Sequence, residues 1–256
     1  MSDLPNKVVI RDGRVYRRAG PYTEQIHHYL KFLCSQNFQG IPIPLDFDNY
    51  GTEILSFIEG DTIDSPNSEE QLSSEHIISS AKLLRAYHDI SEKYVEETNI
   101  TETKWMFAQR EPVEVICHND FAPYNICYEG EKAVGIIDFD AAHPGPRLWD
   151  IAYAVYRFSP FFNYSCSESF GSVEQRVERA RIFCASYGLD KLDLPKLAPL
   201  MIQRVDALLS FLKESAERGD SECKANILAG HHLKYQSDIE YISKNQTIIR
   251  KGLSKW

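Results

Sequence analysis

The sequence predicts an α+β protein in which a small strand-rich segment, residues 1–60, precedes a larger, mainly helical one, residues 61–256. Three observations predict it. Asp12-Gly13 stands between two strand-like runs, a two-residue hairpin signal. Helical apolar spacing takes over after residue 60 and dominates from Leu148 onward. A content of 43% hydrophobic and 25% charged residues is that of an ordinary globular chain, and 256 residues suffice for one large domain or two small lobes.

The elements follow in order. Val8–Arg11 and Arg14–Arg18 are the strands flanking Asp12-Gly13. After Gly20-Pro21, Ile26, Leu30 and Leu33 recur at helical spacing, with Tyr22 and Tyr29 nearby, until Pro42 and Pro44 close that stretch. Strand-like runs Ile43–Phe47 and Glu53–Ile58 come next, joined by an Asn49-Tyr50-Gly51 turn. Ile77, Ala81, Leu84 and His88 share one face of a helix opened by Ser73 or Ser74, and His88 is read as a buried histidine. Val113–Cys117 and Val134–Phe139 are two further strands, with a polar loop from His118 to Asn125 between them. Tyr153, Tyr156 and Phe158 read as core. Leu197, Leu200, Leu208 and Leu212 anchor a helix that Gly219 closes by a left-handed cap, and Ile227, His231, Tyr235, Ile239 and Ile242 mark another.

Charge and cysteine usage narrow the function classes. With 28 Lys and Arg against 37 Asp and Glu, the net charge is −9, which disfavours a phosphate backbone or an anionic membrane as partner. No apolar run approaches the roughly 18–20 residues that span a bilayer, and MSDLPNKVVI lacks the features of a signal peptide. The cysteines Cys34, Cys117, Cys127, Cys166, Cys184 and Cys223 are scattered without a C-x-x-C pair, which fits reduced thiols and a cytoplasmic setting.

The chemistry sits in Ile116-Cys117-His118-Asn119-Asp120-Phe121-Ala122-Pro123-Tyr124-Asn125 and the later Ile136-Ile137-Asp138-Phe139-Asp140. The first holds the pattern H-x-D-x-x-x-x-N of kinase-like catalytic loops, and Asp138 takes the place of the metal-binding aspartate of D-F-G. A nucleotide arrives with magnesium, a hard cation that prefers oxygen ligands. Asp138 offers an anionic oxygen and Asn125 a neutral one, while Asp140 is a further ligand, directly or through water. Asp120 is spaced to accept a proton from a substrate hydroxyl. Thirteen residues separate Asn125 from Asp138, enough for a hairpin that brings them together.

These residues, with the run Ile137-Asp138-Phe139-Asp140-Ala141-Ala142-His143-Pro144-Gly145-Pro146-Arg147-Leu148-Trp149-Asp150-Ile151-Ala152, resemble the aminoglycoside phosphotransferase and choline kinase-like superfamily. Ala19-Gly20-Pro21-Tyr22-Thr23 and the late helices resemble its trifolitoxin-immunity-like bacterial branch. The resemblance implies a bilobal protein-kinase-like fold, with a reduced N-terminal antiparallel sheet lobe for the nucleotide and a larger helical C-terminal lobe for catalysis and substrate. It also implies ATP or GTP with magnesium as cofactors and a small molecule bearing a hydroxyl as acceptor. His118 and Asp150 are implied supports of the loop. Leu55-Ser56-Phe57-Ile58-Glu59-Gly60 resembles the interlobe linker, whose backbone at Phe57 and Ile58 would meet the adenine.

The nucleotide-gripping half departs from the family pattern. No G-x-G-x-x-G or G-x-x-x-x-G-K-[ST] occurs. The strand that carries the phosphate lysine in protein kinases holds Arg17 and Arg18 here, and alternation turns only one of them inward. The acid expected on the following helix is open: Glu24 lies near its start, with His27 and His28 after it. These departures motivate the alternative to a small-molecule phosphotransferase, a catalytically weak kinase-like binding or immunity module.

Overall fold

The computed structural model describes residues 8–47, 51–63, 72–163 and 171–255. Asn49 and Tyr50 of the expected turn lie outside the described residues, as does Cys166. The strands are β1 (Val9–Arg11), β2 (Arg14–Arg18), β3 (Pro44–Phe47), β4 (Thr52–Ser56), β5 (Val115–Cys117), β6 (Ile126–Glu129), β7 (Lys132–Ile136) and β8 (His143–Gly145). The helices are α1 (Thr23–Ser35), α2 (Ser74–Glu97), α3 (Arg147–Phe158), α4 (Val173–Tyr187), α5 (Leu197–Glu217), α6 (Ser221–Leu228) and α7 (His231–Leu253). A four-stranded antiparallel sheet has the order β1-β2-β4-β3, and β5-β8 and β6-β7 form two small antiparallel pairs. This small sheet and the many helices are the α+β arrangement the sequence predicts.

The chain divides into two compact units. The first is Met1–Ile63 with Lys82–Arg147; the second is Asp64–Ala81 with Leu148–Trp256. Among the described residues the first holds all the strands. Its opening hairpin turns through Asp12 and Gly13, both left-handed at φ 52° and 68°, the mirror-image turn whose twist matches antiparallel strands. Helix α1 buries Ile26, Tyr29, Leu30 and Leu33, a face set by the i, i+3, i+4, i+7 spacing. The Tyr29 ring meets Tyr94 and Trp105 edge-on, at 4.9 and 5.8 Å between centroids.

Helix α2 fixes β5 from inside. The Tyr29 hydroxyl donates to the Tyr87 hydroxyl at 3.0 Å, and Tyr87 donates to the Ile116 carbonyl at 2.8 Å. Ser91 accepts from the Ile116 N–H at 2.6 Å. These buried bonds satisfy both main-chain groups of Ile116, the middle residue of β5 and two residues ahead of His118, and His88, on the same helix, is fully buried. Ser73 is the residue that caps α2, since its hydroxyl accepts the His76 N–H at 3.3 Å.

In the second unit, α4 opens with a capping box between Ser172 and Gln175 and ends at left-handed Gly188. Gly219, at φ 107°, closes α5 as expected, with the Asp220 N–H returning to the Ser215 carbonyl. The buried face of α5 carries Leu197, Met201, Val205, Leu209 and Leu212, while Leu200 and Leu208 are only half-buried. Tyr153, Tyr156 and Phe158 are buried core, and the Arg204 guanidinium lies 4.4 Å from the centre of the Tyr153 ring.

Two strands went unanticipated, β6 and β8, and the expected strand to Phe139 ends at Ile136 because Asp138 takes φ 64°. Gly40 is left-handed at φ 76°, and a Cβ there would run into the Val134 carbonyl oxygen. Gly130, at φ 60°, has open space around it. Gly40→Ala is therefore expected to cost about 3 kcal/mol and Gly130→Ala about 1 kcal/mol, a difference readable in urea midpoints.

Candidate active site

The loop after β5 is built from its own backbone and one histidine. Asn119 is left-handed at φ 65°, which folds the chain back so that the Asp120 N–H donates to His118 Nδ1 at 3.3 Å. That leaves Nε2 as the protonated nitrogen, and it donates to the Ile137 carbonyl at 3.0 Å. The fully buried imidazole packs edge-on against Phe139, 4.8 Å away, and against Phe121. A 3₁₀ turn over Pro123–Asn125 then points Asn125 back at the aspartate. Its Nδ2 donates to the Asp120 main-chain carbonyl at 2.9 Å and to Oδ2 at 2.8 Å. The Tyr124 hydroxyl donates to the other carboxylate oxygen, Oδ1, at 2.7 Å.

The β6-β7 hairpin brings the acidic turn to this loop. Ile126 pairs with Ile136, and the Ile137 N–H donates to the Asn125 carbonyl at 2.9 Å. The next residue, Asp138, has a half-exposed side chain, whereas Phe139 is buried. Asp140 lies two residues on, and it too is half-exposed.

Arg17 reaches both aspartates from β2. Its Nη2 and Nη1 donate to the two Asp140 oxygens at 2.6 and 3.1 Å, and Nη1 lies 3.4 Å from Asp138 Oδ1. Nε of the same guanidinium donates to Glu53, which stands directly opposite on β4. Glu53 is fully buried, and its second oxygen lies 2.7 Å from His27 Nε2 of α1. Burial alone would raise the Glu53 carboxyl, but the His27 hydrogen bond and the Arg17 charge outweigh it and hold the group below its ordinary value. For Asp140 the balance is opposite: burial, aided by Asp138, outweighs Arg17 and pushes its carboxyl up. The Arg17 guanidinium is held further above its ordinary value by Asp140 and Glu53, against the effect of its burial.

Of the residues singled out in the sequence, Asp120, Asn125, Asp138, Asp140, His118 and Arg17 lie together in the first unit. Arg18 does not join them; it is exposed, on the other side of β2. The Phe57 N–H donates to the Gly13 carbonyl at 2.9 Å, and Ile58 packs over Gly135 in β7. Asp150 is fully buried in the first turn of α3, in the second unit. Glu24 is exposed, so the acid that meets Arg17 comes from a strand and not from the helix. Glu53 and Tyr124 went unassigned in the sequence. Glu53 shares a strand face with buried Leu55, which is the signal for an inward-facing acid.

The donor set suits a divalent cation carried by phosphates. Glu53, Asp138 and Asp140 face the single Arg17 guanidinium, so one positive charge meets three negative ones, and −3 + 1 leaves −2 with His27 counted neutral. The Asn125 Nδ2 is engaged with Asp120, and its amide Oδ1 is a neutral oxygen of the kind a hard cation accepts. Among the described residues no three His, Cys, Asp or Glu form a closed cage. Magnesium needs none, because it typically takes one or two carboxylates and completes its shell with phosphate and water.

A small antiparallel sheet, an H-x-D-x-x-x-x-N loop and an acidic turn locked to it define the protein-kinase-like class. Residues 92–199 match the phosphotransferase enzyme family APH. A trifolitoxin immunity protein of Rhizobium leguminosarum bv. trifolii is 30% identical over 190 residues, covering 72% of this chain and 71% of the relative. The chain belongs to the family of that trifolitoxin immunity protein and carries the phosphotransferase match within it. Solved structures share the fold. An amicoumacin kinase in complex with AMP-PNP, Ca2+ and Ami matches at TM-score 0.63 and 12% identity over 94% of this chain and 89% of its own. An ethanolamine kinase of Plasmodium vivax matches at TM-score 0.60 and 16% identity over 96% and 83%. A choline/ethanolamine kinase family protein of Mesorhizobium loti matches at 0.57 and 12% over 95% and 89%. Among the described residues no helix is long and apolar enough to cross a membrane.

Glu53→Ala is expected to destabilise the protein by about 3 kcal/mol, because it leaves Arg17 and His27 without their shared carboxylate. The depressed Glu53 carboxyl gives the effect a pH signature. Its stabilisation is present above the unfolded glutamate value of about 4.3 and is lost as pH falls through the lower folded value. The gap between wild type and Glu53→Gln in urea unfolding should therefore be full at pH 7 and shrink below about pH 4.

Proposed function

We propose that this protein transfers the γ-phosphoryl group of ATP or GTP, with magnesium, to a hydroxyl group of a small molecule in the cytoplasm. The observation that carries the reading is the union of Asp120, Asn125 and Asp138 through main-chain bonds at Ile137. Asp120 is the base that takes the acceptor hydroxyl's proton and orients it for in-line attack. Asn125, Asp138 and Asp140 would hold the magnesium, which neutralises charge on the phosphates when bound. Arg17, not Arg18, faces the phosphates. The backbone at Phe57 and Ile58 is the adenine edge through its groups other than the Phe57 N–H, which Gly13 already accepts, and His118 and Asp150 are supports. Small-molecule acceptors fit the kinase relatives by fold, and the acidic chain gives no reason to expect a nucleic acid.

The binding or immunity module remains the second reading, because a relative is named as an immunity protein and because Arg17 already has three carboxylates around it. A thermal-shift titration separates the two. Millimolar Mg-ATP or Mg-GTP should raise the melting temperature, since a ligand at 100 times its Kd adds about 2.7 kcal/mol to the native state. No shift with either nucleotide favours the module.

Asp120→Ala and Asp138→Ala should each lower nucleotide turnover by at least about a hundredfold while unfolding remains cooperative. ADP release, followed across an acceptor screen, is the measurement. Turnover preserved in both variants refutes the assignment.

A further inference from the structure

The phenol of Tyr124 lies where a substrate hydroxyl would have to lie. Its O–H donates to Asp120 Oδ1 at 2.7 Å, the relation that a general base must have with the hydroxyl it deprotonates. The other oxygen, Oδ2, is taken by Asn125 Nδ2 at 2.8 Å. Both oxygens of the carboxylate thus already accept from the chain itself. Tyr124 projects from the 3₁₀ turn at Pro123–Asn125, which the Asn125 N–H closes onto the Ala122 carbonyl at 2.8 Å, so the ring is rooted in the same rigid loop as the aspartate. The side chain is half-buried and is not a filler of the core.

We infer that Tyr124 is a specificity-determining residue on the acceptor side, whose hydroxyl occupies Asp120 until an acceptor displaces it. This rests on the phosphotransferase reading. The nucleophile to be guarded against is water. A water molecule that attacks the γ-phosphorus must give its proton to Asp120 and so must first replace the phenol. The exchange costs about one hydrogen bond, while an acceptor held by further contacts offsets that cost. Tyr124 thereby favours transfer over wasteful hydrolysis, in which the bond from the γ-phosphorus to the bridging oxygen breaks and inorganic phosphate and ADP leave.

The test is acceptor-independent ADP release with Mg-ATP, measured for wild type, Tyr124→Phe and the double variant Tyr124→Phe/Asp120→Asn. Phenylalanine keeps the ring and removes only the guard, so Tyr124→Phe should hydrolyse ATP about three- to tenfold faster, the factor that one modest hydrogen bond represents. Its nucleotide KM should stay within about twofold, its melting temperature should stay within a few degrees, and the gain should vanish in the double variant. A Tyr124→Phe rate equal to or below that of wild type, in a protein that still melts cooperatively and still shifts with Mg-ATP, overturns this inference and leaves the transferase reading standing. A gain that persists without Asp120 overturns it too. A wild type that shifts with neither Mg-ATP nor Mg-GTP overturns both.

Discussion

Every functional arrangement in the first unit depends on how one peptide segment, Ile137, is held. Its N–H donates to the Asn125 carbonyl and its C=O accepts from His118 Nε2. Asp138 follows immediately, so it cannot move independently of the loop that carries Asp120 and Asn125. The His118 end of this arrangement is protected, since the imidazole is fully buried and packs against Phe121 and Phe139, and a buried polar group deprived of its partner costs about 1–3 kcal/mol. The same economy of parts extends downward. Ile116, two residues before His118, has its N–H on Ser91 and its C=O on Tyr87, both from α2. The aspartates therefore sit on a frame whose hydrogen bonds run from a helix through a three-residue strand to the loop and on to the turn.

Charge is distributed against that frame in a graded way. Glu53, fully buried, has both oxygens hydrogen-bonded, one to the Arg17 guanidinium that balances its charge and one to His27, as burial of an ionised carboxylate demands. Asp140 and Asp138 are half-exposed and share what remains of the same guanidinium. The deep acid is compensated within the protein, and the shallow ones carry the surplus. A cation entering from solvent would meet the two shallow acids first, without disturbing the buried pair.

How much of this was legible in the sequence follows from how local each feature is. The Asp12-Gly13 hairpin and the Gly219 cap are dictated by left-handed residues within two or three positions, and both stand as expected. The His118–Asn125 loop is legible for the same reason, since every bond from Asp120 to Tyr124 and Asn125 spans five residues or fewer. Strand β8 was not legible because His143-Pro144-Gly145 reads as a turn, and only its pairing with β5 makes it extended. The choice between Arg17 and Arg18 and the role of Glu53 rest on the register between β2 and β4, two strands separated by α1 and β3. No periodicity within either strand fixes that register. Leu200 and Leu208 share the helical period of the core residues of α5, but the buried stripe is centred on Met201, Val205 and Leu209, a rotation that depends on tertiary packing.

The substitution of arginine where protein kinases carry lysine makes physical sense once Glu53 is seen on the strand. A guanidinium has donors on two edges, so Arg17 can hold Glu53 through Nε and still present both terminal nitrogens to Asp140. A lysine ammonium is a single point and has no such division. The buried Glu53 thus fixes one edge of the fork and sets the direction of the other, which is the edge a phosphate would use. On the proposed reading, Asp140 is the group that must yield to phosphate at this edge. Magnesium arriving with the nucleotide would draw on that same carboxylate, so the two exchanges assist each other. An arginine anchored in this way loses little freedom when its partner changes from carboxylate to phosphate, since each presents two oxygens spaced to match the guanidinium fork. On that reading the strand-borne acid would help a lobe without a glycine-rich loop to present an oriented cation to a nucleotide.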